Sequence, residues 1–184
     1  MLALGTTAPD FSLPTTGGKT VSLSTFTDSK LLVVMFICNH CPYVKHIQKG
    51  LVEVANDYQA KGVGFVAINS NDADNYPEDS FEMMEKEIEL AGYPFLYAYD
   101  EDQSVAKAYN AACTPDIYVF DGERKLVYRG QLDDSRPGND KPVTGQDLRA
   151  SLDALLQDAP VSQDQKPSTG CNIKWKSGNA PDYF

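Results

Sequence analysis

The stretch LLVVMFICNHCPYVKH, Leu31 to His46, sets how the rest of the chain is read. Leu31 to Ile37 is an unbroken apolar run. A run this short, closed by a breaker, is what a strand covered on both faces requires. Pro42 suits the first position of a helix, where its missing N–H costs nothing. Cys41 then becomes the N-cap, and the unpaired N–H groups of the first turn point at its sulfur. A helix N-terminus favours negative charge, and so favours thiolate over thiol.

Cys38 and Cys41 are separated by two residues, so a disulfide between them closes with little loop entropy at stake. Beside a strand–helix pattern in a cytosolic chain, C-x-x-C reads as a redox pair. A structural zinc site is the alternative, and it takes four ligands, usually from two separated pairs. The remaining candidates, His40, His46, Cys113 and Cys171, supply neither a second C-x-x-C nor an H-x-x-x-H. The spacing therefore favours redox chemistry with no metal and no cofactor. A plain motif reading makes Cys38 the nucleophile. The place of Pro42 favours Cys41, with Cys38 as its resolving partner, because attack needs a thiolate with a pKa near ambient pH. His40, between the sulfurs, is a candidate pKa modulator or an exposed turn residue. His46, one turn into the helix, is read as solvated or packed.

The chain has 184 residues and a formal net charge of −10. That length is enough for one domain with a real core. The charge gives no support to nucleic-acid binding. No run approaches the length of a membrane span. The N-terminal MLALGTTAPDFSL lacks a charged segment followed by an apolar one, so a signal peptide is not expected and a cytoplasmic address follows. Four cysteines suit a redox-active protein better than a disulfide scaffold. The acidic residues between Asp72 and Glu89 read as a solvated helix face.

Outward from the central stretch, Gly17-Gly18 and the alternating Thr20 to Leu23 predict an N-terminal β-hairpin after an extended lead-in from Ala8 to Leu13. Val44, Ile47, Leu51, Val54, Ala55 and Tyr58 recur at helical spacing, and Gly62 closes that helix. Val63 to Asn69 is a second buried strand, completing a βαβ unit. A polar loop follows, and Pro77 is expected to start a helix with Phe81, Met84, Ile88 and Ala91 on its apolar stripe. Phe95 to Tyr99 is a short strand or link, and Asp102 to Tyr109 a short helix. Asp116 to Asp121 and Leu126 to Arg129 read as a hairpin. Thr144 and Asp147 form a capping-box pattern before a closing helix that ends near Asp158. Residues 1–158 are thus one domain. Residues 159–184 are an irregular tail, whose Cys171, Ile173, Trp175, Tyr183 and Phe184 carry enough apolar surface for it to dock.

Several local motifs share one order: Gly5, Ala8-Pro9-Asp10-Phe11-Ser12-Leu13, Cys38-Asn39-His40-Cys41-Pro42, Asn69-Ser70-Asn71-Asp72, and Thr114-Pro115-Asp116-Ile117-Tyr118-Val119-Phe120-Asp121 with Gly130 beyond. From about Gly5 to Leu156 the chain resembles the thioredoxin superfamily, and within it the redoxin or alkyl hydroperoxide reductase/thiol-specific antioxidant group. The resemblance implies an α/β fold: a central mixed sheet flanked by helices, here with an N-terminal hairpin and an irregular C-terminal tail. Val34 and Phe36 fall where the family's V-x-F-x-x-x-C-P pattern wants them, with Val44 in place of the usual second cysteine. The resemblance further implies that Pro115 is cis, lies against the redox cysteines, and with Thr114 presents backbone to a substrate. Cys113 would then be a third redox sulfur, a metal ligand or an inert buried thiol. Cys171 is read as a packed tail residue or a resolving cysteine. The chain departs from the pattern at Met35, where many thioredoxins keep a buried carboxylate. It departs again at Cys38, where peroxidatic relatives keep threonine or serine. Arg129 is the candidate for their site arginine.

The function expected is a thiol–disulfide oxidoreductase cycling Cys38 and Cys41 in cell redox homeostasis. Its partners would be a protein or small-molecule disulfide and a reducing thiol donor, with no nucleic acid and no membrane. Alternatives are a peroxidase with Cys41 as the peroxidatic cysteine, a metal-binding domain using Cys38, Cys41, Cys113 and a histidine, and an interaction module without turnover.

Overall fold

The computed structural model describes residues 2–184. Its centre is β3 (Leu31–Phe36), in which every residue is buried. Leu31, Val33 and Met35 enter one core layer, and Leu32, Val34 and Phe36 the other. That alternation is the two-residue period of a strand covered on both faces. β3 pairs parallel with β4 (Val63–Asn69) and antiparallel with β7 (Asp116–Phe120). β5 (Leu96–Tyr99) and β8 (Leu126–Gly130) complete a five-stranded mixed sheet in the order β5-β4-β3-β7-β8.

The helix α1 (Pro42–Gln59) runs from Cys41 at its N-cap, which is extended at φ −69°, ψ 123°. Val44, Ile47, Leu51, Val54, Ala55 and Tyr58 are its buried stripe, as the helical spacing requires. Beyond β4, a single 3-10 turn at Pro77–Asp79 replaces the helix start expected at Pro77. The helix α2 (Phe81–Ala91) begins four residues later, capped by the Ser80 side chain, and Gly92 ends it at φ +68°. The proline fixes its own φ but leaves Asp79 free to turn inward. The predicted capping box before α4 (Gln146–Leu156) is also absent. Gly145 is the N-cap at φ +70°, and the N–H groups of Thr144 and Gly145 donate to Asp133. A buried carboxylate from another segment has replaced the local cap.

β1 (Ser12–Pro14) and β2 (Thr20–Ser22) form the N-terminal hairpin. The short helix α3 (Ser104–Ala108) covers the face opposite α1. β6 (Cys113–Thr114) stands outside the main sheet and pairs antiparallel with β9 (Cys171–Asn172), a strand contributed by the tail. The tail is pinned along its length. Gln103, fully buried, donates to the carbonyls of Ser70 and Lys174 at 2.8 and 2.9 Å and accepts from Lys176 N–H at 2.9 Å. Ile173 is buried in the core, and Trp175 packs edge-on to Phe184. Among the described residues no helix is long and apolar enough to cross a membrane.

Gln103→Ala removes the shared bridge between tail and domain. A buried hydrogen bond left half-made costs on the order of 1–3 kcal/mol. Tryptic cleavage after Lys174 or Lys176 is expected to quicken by about tenfold or more, with the far-UV circular dichroism retained.

Candidate functional site

Cys38 and Cys41 lie where the β3 chain leaves the sheet and enters α1, and both are buried. The Cys38 side chain is the largest influence that pushes the Cys41 pKa well below the usual thiol value. Burial opposes this, while the Val44 amide in the first turn of α1 and the side chain and backbone of Cys171 assist it. A partial positive charge at a helix start acts in the same direction. Cys38 is pushed the other way, far above the ordinary range. Its bond to Cys41 contributes most, followed by burial and the charge of Asp79. The two thiols are thus pushed in opposite directions, as expected for two interacting acids.

Thr114–Pro115 is a cis peptide. Cys41 Sγ donates to the Thr114 carbonyl oxygen at 3.2 Å, and Thr114 Oγ1 is 3.4 Å from Cys38 Sγ. Cys113 packs beside them with its sulfur 3.5 Å from the Pro115 carbonyl. Burial, then the charge of Asp116, raises its pKa to about 12, which leaves it a protonated thiol. All four cysteines are free.

The segment between the sulfurs is tied to a carboxylate that the sequence reading assigned to a solvated face. Asp79 is fully buried. Its Oδ1 accepts from Asn39 N–H at 2.7 Å, and its Oδ2 accepts from Asn71 Nδ2 at 2.7 Å and faces His40 Nδ1 at 2.6 Å. Asn39 is fixed further by donation to the Glu78 carbonyl and by the Tyr97 hydroxyl. His40, partly exposed, stacks on Tyr76 with planes 4° apart. Asp72 and Glu87 are buried as well, whereas Asp74, Glu78, Glu82, Glu85 and Glu89 are exposed as the solvated-face reading expects. Asp72 accepts from Asn75, and Glu87 from Lys45 and Gln48. A helical-face argument misses them because these carboxylates are bound in the loop or turned against α1.

Donor atoms of Cys38, His40 and Asp79 lie within 4.8 Å of one another. This trio differs from the Cys38, Cys41, Cys113 and histidine set weighed from sequence. It would hold a metal ion only by surrendering the His40–Asp79 contact. His46 is not part of the site; its Nε2 meets Ser135 Oγ at 2.6 Å. Arg129 pairs in register with Tyr118, whose side chain lies in the core layer of α3. Cross-strand partners share a face, so Arg129 is on the opposite face from the layer holding Cys41.

The family model for Redoxin matches residues 3–148. A comparison with curated proteins found no match. Among solved structures, an uncharacterized conserved protein from Geobacillus kaustophilus is 62% identical, covering 96% of this chain and 94% of its own, with a TM-score of 0.94. A hypothetical protein from Sinorhizobium meliloti is 53% identical over 97% of each chain, with a TM-score of 0.95. The thioredoxin domain of a thiol-disulfide oxidoreductase from Bacteroides vulgatus is 22% identical, covers 81% of this chain and 98% of its own, and has a TM-score of 0.62, a likeness of fold.

Asp116, directly after the cis-proline, accepts from the Tyr118 hydroxyl at 2.8 Å. Burial raises its pKa to about 6. Because the folded value lies above the unfolded one, its stability contribution is complete below about pH 4 and falls away as pH rises to about 6. Two pKa units correspond to about 3 kcal/mol. Asp116→Asn should therefore be more resistant to urea than the parent at pH 7.5. The difference between the two chains should vanish near pH 4.

Proposed function

The chain belongs to the Redoxin family, and on that premise we propose that it is a thiol–disulfide oxidoreductase whose attacking group is the Cys41 thiolate. The observation that carries this reading is the place of Cys41 at the N-cap of α1, with both its sulfur and that of Cys38 against Thr114; the direction of their pKa shifts, Cys41 down and Cys38 up, supports it. Cys41 Sγ attacks one sulfur of a substrate disulfide. The new S–S bond forms as the old one breaks, and the departing half leaves as a thiolate and takes a proton from water. Cys38 then loses its proton and attacks Cys41 Sγ, expelling the second half. The substrate gains two electrons and the protein keeps a Cys38–Cys41 disulfide, which a thiol donor reduces.

The elements around the sulfurs have separate tasks in this cycle. A thiol as weakly acidic as Cys38 needs a proton acceptor nearby. The His40–Asp79 pair, within 4.8 Å of its sulfur, serves as that acceptor. It occupies the role that Met35 leaves vacant on β3. The backbone of Thr114 forms the edge along which an extended substrate would lie, next to both sulfurs. The bidentate hold of Asp79 on Asn39 and His40 keeps Cys38 in reach of Cys41. The chain acts, in this reading, on protein or small-molecule disulfides in a reducing compartment such as the cytoplasm.

Iodoacetamide alkylation followed by peptide mapping tests the assignment. Cys41 should modify at a rate that stays flat between about pH 6 and pH 9, whereas Cys38 stays unreactive. Cys41→Ser should abolish disulfide reduction. Cys38→Ser should leave the first attack on the substrate intact and form no Cys38–Cys41 disulfide. A Cys41 rate that climbs tenfold per pH unit, like that of an unperturbed thiol, would overturn the proposal. Rapid mixing with peroxide separates the peroxidase reading, which requires a Cys41 rate far above that of a free thiol.

A further inference from the structure

The edge just assigned to a substrate is already occupied by the chain itself. Thr114 pairs with Cys171 and Cys113 with Asn172 in antiparallel register. Ile173 N–H donates to the Ala112 carbonyl at 3.1 Å. Gly170 lies so close to the Thr114 carbonyl that a Cβ at that position would overlap it. Downstream, Lys174 N–H donates to Asn71 Oδ1 at 2.8 Å, and the Lys174 carbonyl accepts from Asp72 N–H at 2.9 Å. Asn71 is the residue that holds Asp79. The tail is therefore built into the same network as the active sulfurs. A cysteine sits opposite Thr114, whose carbonyl accepts from Cys41 Sγ, and packs against the core layer that holds Cys41.

We propose that β9 is a built-in substrate strand and that Cys171 is a third redox sulfur, able to resolve a mixed disulfide on Cys41 without Cys38. The proposal rests on Cys41 being the attacking thiolate. With β9 in place Cys41 is wholly covered, so an incoming disulfide must first displace the strand, which offers only Cys171 and Asn172 to the pairing. The segment before it has no helix or strand but is anchored where the Lys166 carbonyl accepts from Gln131 N–H and Ser168 donates to the Gly130 carbonyl, so the strand swings from that anchor and stays within reach of Cys41. When the strand returns, Cys171 gives its proton to water and attacks Cys41 Sγ. The Cys41–Cys171 bond forms, and the bond to the substrate half breaks. That half leaves as a thiolate and is protonated. Cys38 can then attack Cys41 and expel Cys171.

The test uses the full chain and one equivalent of an aromatic disulfide, dithiobis-nitrobenzoate, with release of the coloured thiolate followed by absorbance. Cys38→Ser is expected to release two equivalents and to yield a linked Cys41–Cys171 peptide on non-reducing mass spectrometry. The double variant Cys38→Ser/Cys171→Ser should stop at one, with the aromatic adduct retained on Cys41. Cys171→Ser alone should release two, through Cys38, which shows that this variant is folded. Gly170→Ala in the Cys38→Ser chain pushes the strand off Thr114 and should slow the second release about tenfold or more. A Cys38→Ser chain that stops at one equivalent with a stable Cys41 adduct, or that links Cys41 to Cys113, would overturn the role of Cys171 while leaving Cys41 as nucleophile. A second release unaffected by Gly170→Ala would overturn the substrate-strand geometry. No release at all would instead remove the Cys41 thiolate, and this proposal with it.

Discussion

One buried carboxylate organises the site. Asp79 has no exposure to water, and a charge in such a place persists only where hydrogen bonds replace its hydration. Asp79 accepts hydrogen bonds from the backbone of Asn39 and the amide of Asn71, and the ring of His40 lies 2.6 Å from it. Two of these three lie between the redox sulfurs, so satisfying Asp79 also fixes the Cys38-to-Cys41 turn. The same charge raises the pKa of Cys38. Cys38 consequently keeps its proton and can donate it toward Cys41. Asp79 thus acts on the pair of sulfurs through Cys38, although it does not touch Cys41.

The strand, helix and strand that carry the sulfurs were legible because their signals are local. Leu31 to Phe36 and Val63 to Asn69 are apolar throughout, and α1 shows its stripe from Val44 to Tyr58. Cys41 at the N-cap followed from Pro42 alone. Asp79 was not legible, since nothing in Pro77-Glu78-Asp79 distinguishes a carboxylate turned inward from one turned to water. Its burial is decided by Asn39, forty residues earlier in the chain and adjacent only after β3 and β4 have paired. A run of acidic residues is read by its average, whereas Asp72, Asp79 and Glu87 are each held by a separate partner. The motif around Pro115 was recognisable by resemblance, while its contact with the sulfurs is a product of the β3–β7 pairing.

The tail was harder still. A Pro-, Ser- and Gln-rich segment has no periodicity, and β9 is only two residues long. Its apolar residues signalled docking without saying where. The missing information is backbone shape: Gly170 can press against the Thr114 carbonyl because it has no side chain, and Gly130 admits the Lys166 carbonyl in the same way. Those two close approaches lead the tail across the end of the sheet to the sulfurs. A glycine in a polar segment reads from sequence as slack, but here each marks a point where the chain is tightest.

The covering of Cys41 also bears on why the site tolerates so acidic a thiol. An ionised sulfur left open to solvent is exposed to oxidation and to exchange with any passing disulfide. Under β9 it is shielded from both, yet the cover adds to the stabilisation of the anion through Cys171 instead of subtracting from it. Burial by an apolar lid would raise the pKa and quench the nucleophile. Burial by a strand whose Cys171 side chain and backbone both act to lower the Cys41 pKa opposes that effect. The composition of the lid, a glycine to close the approach and a cysteine to meet the sulfur, is therefore a chemical requirement on this tail as well as a steric one.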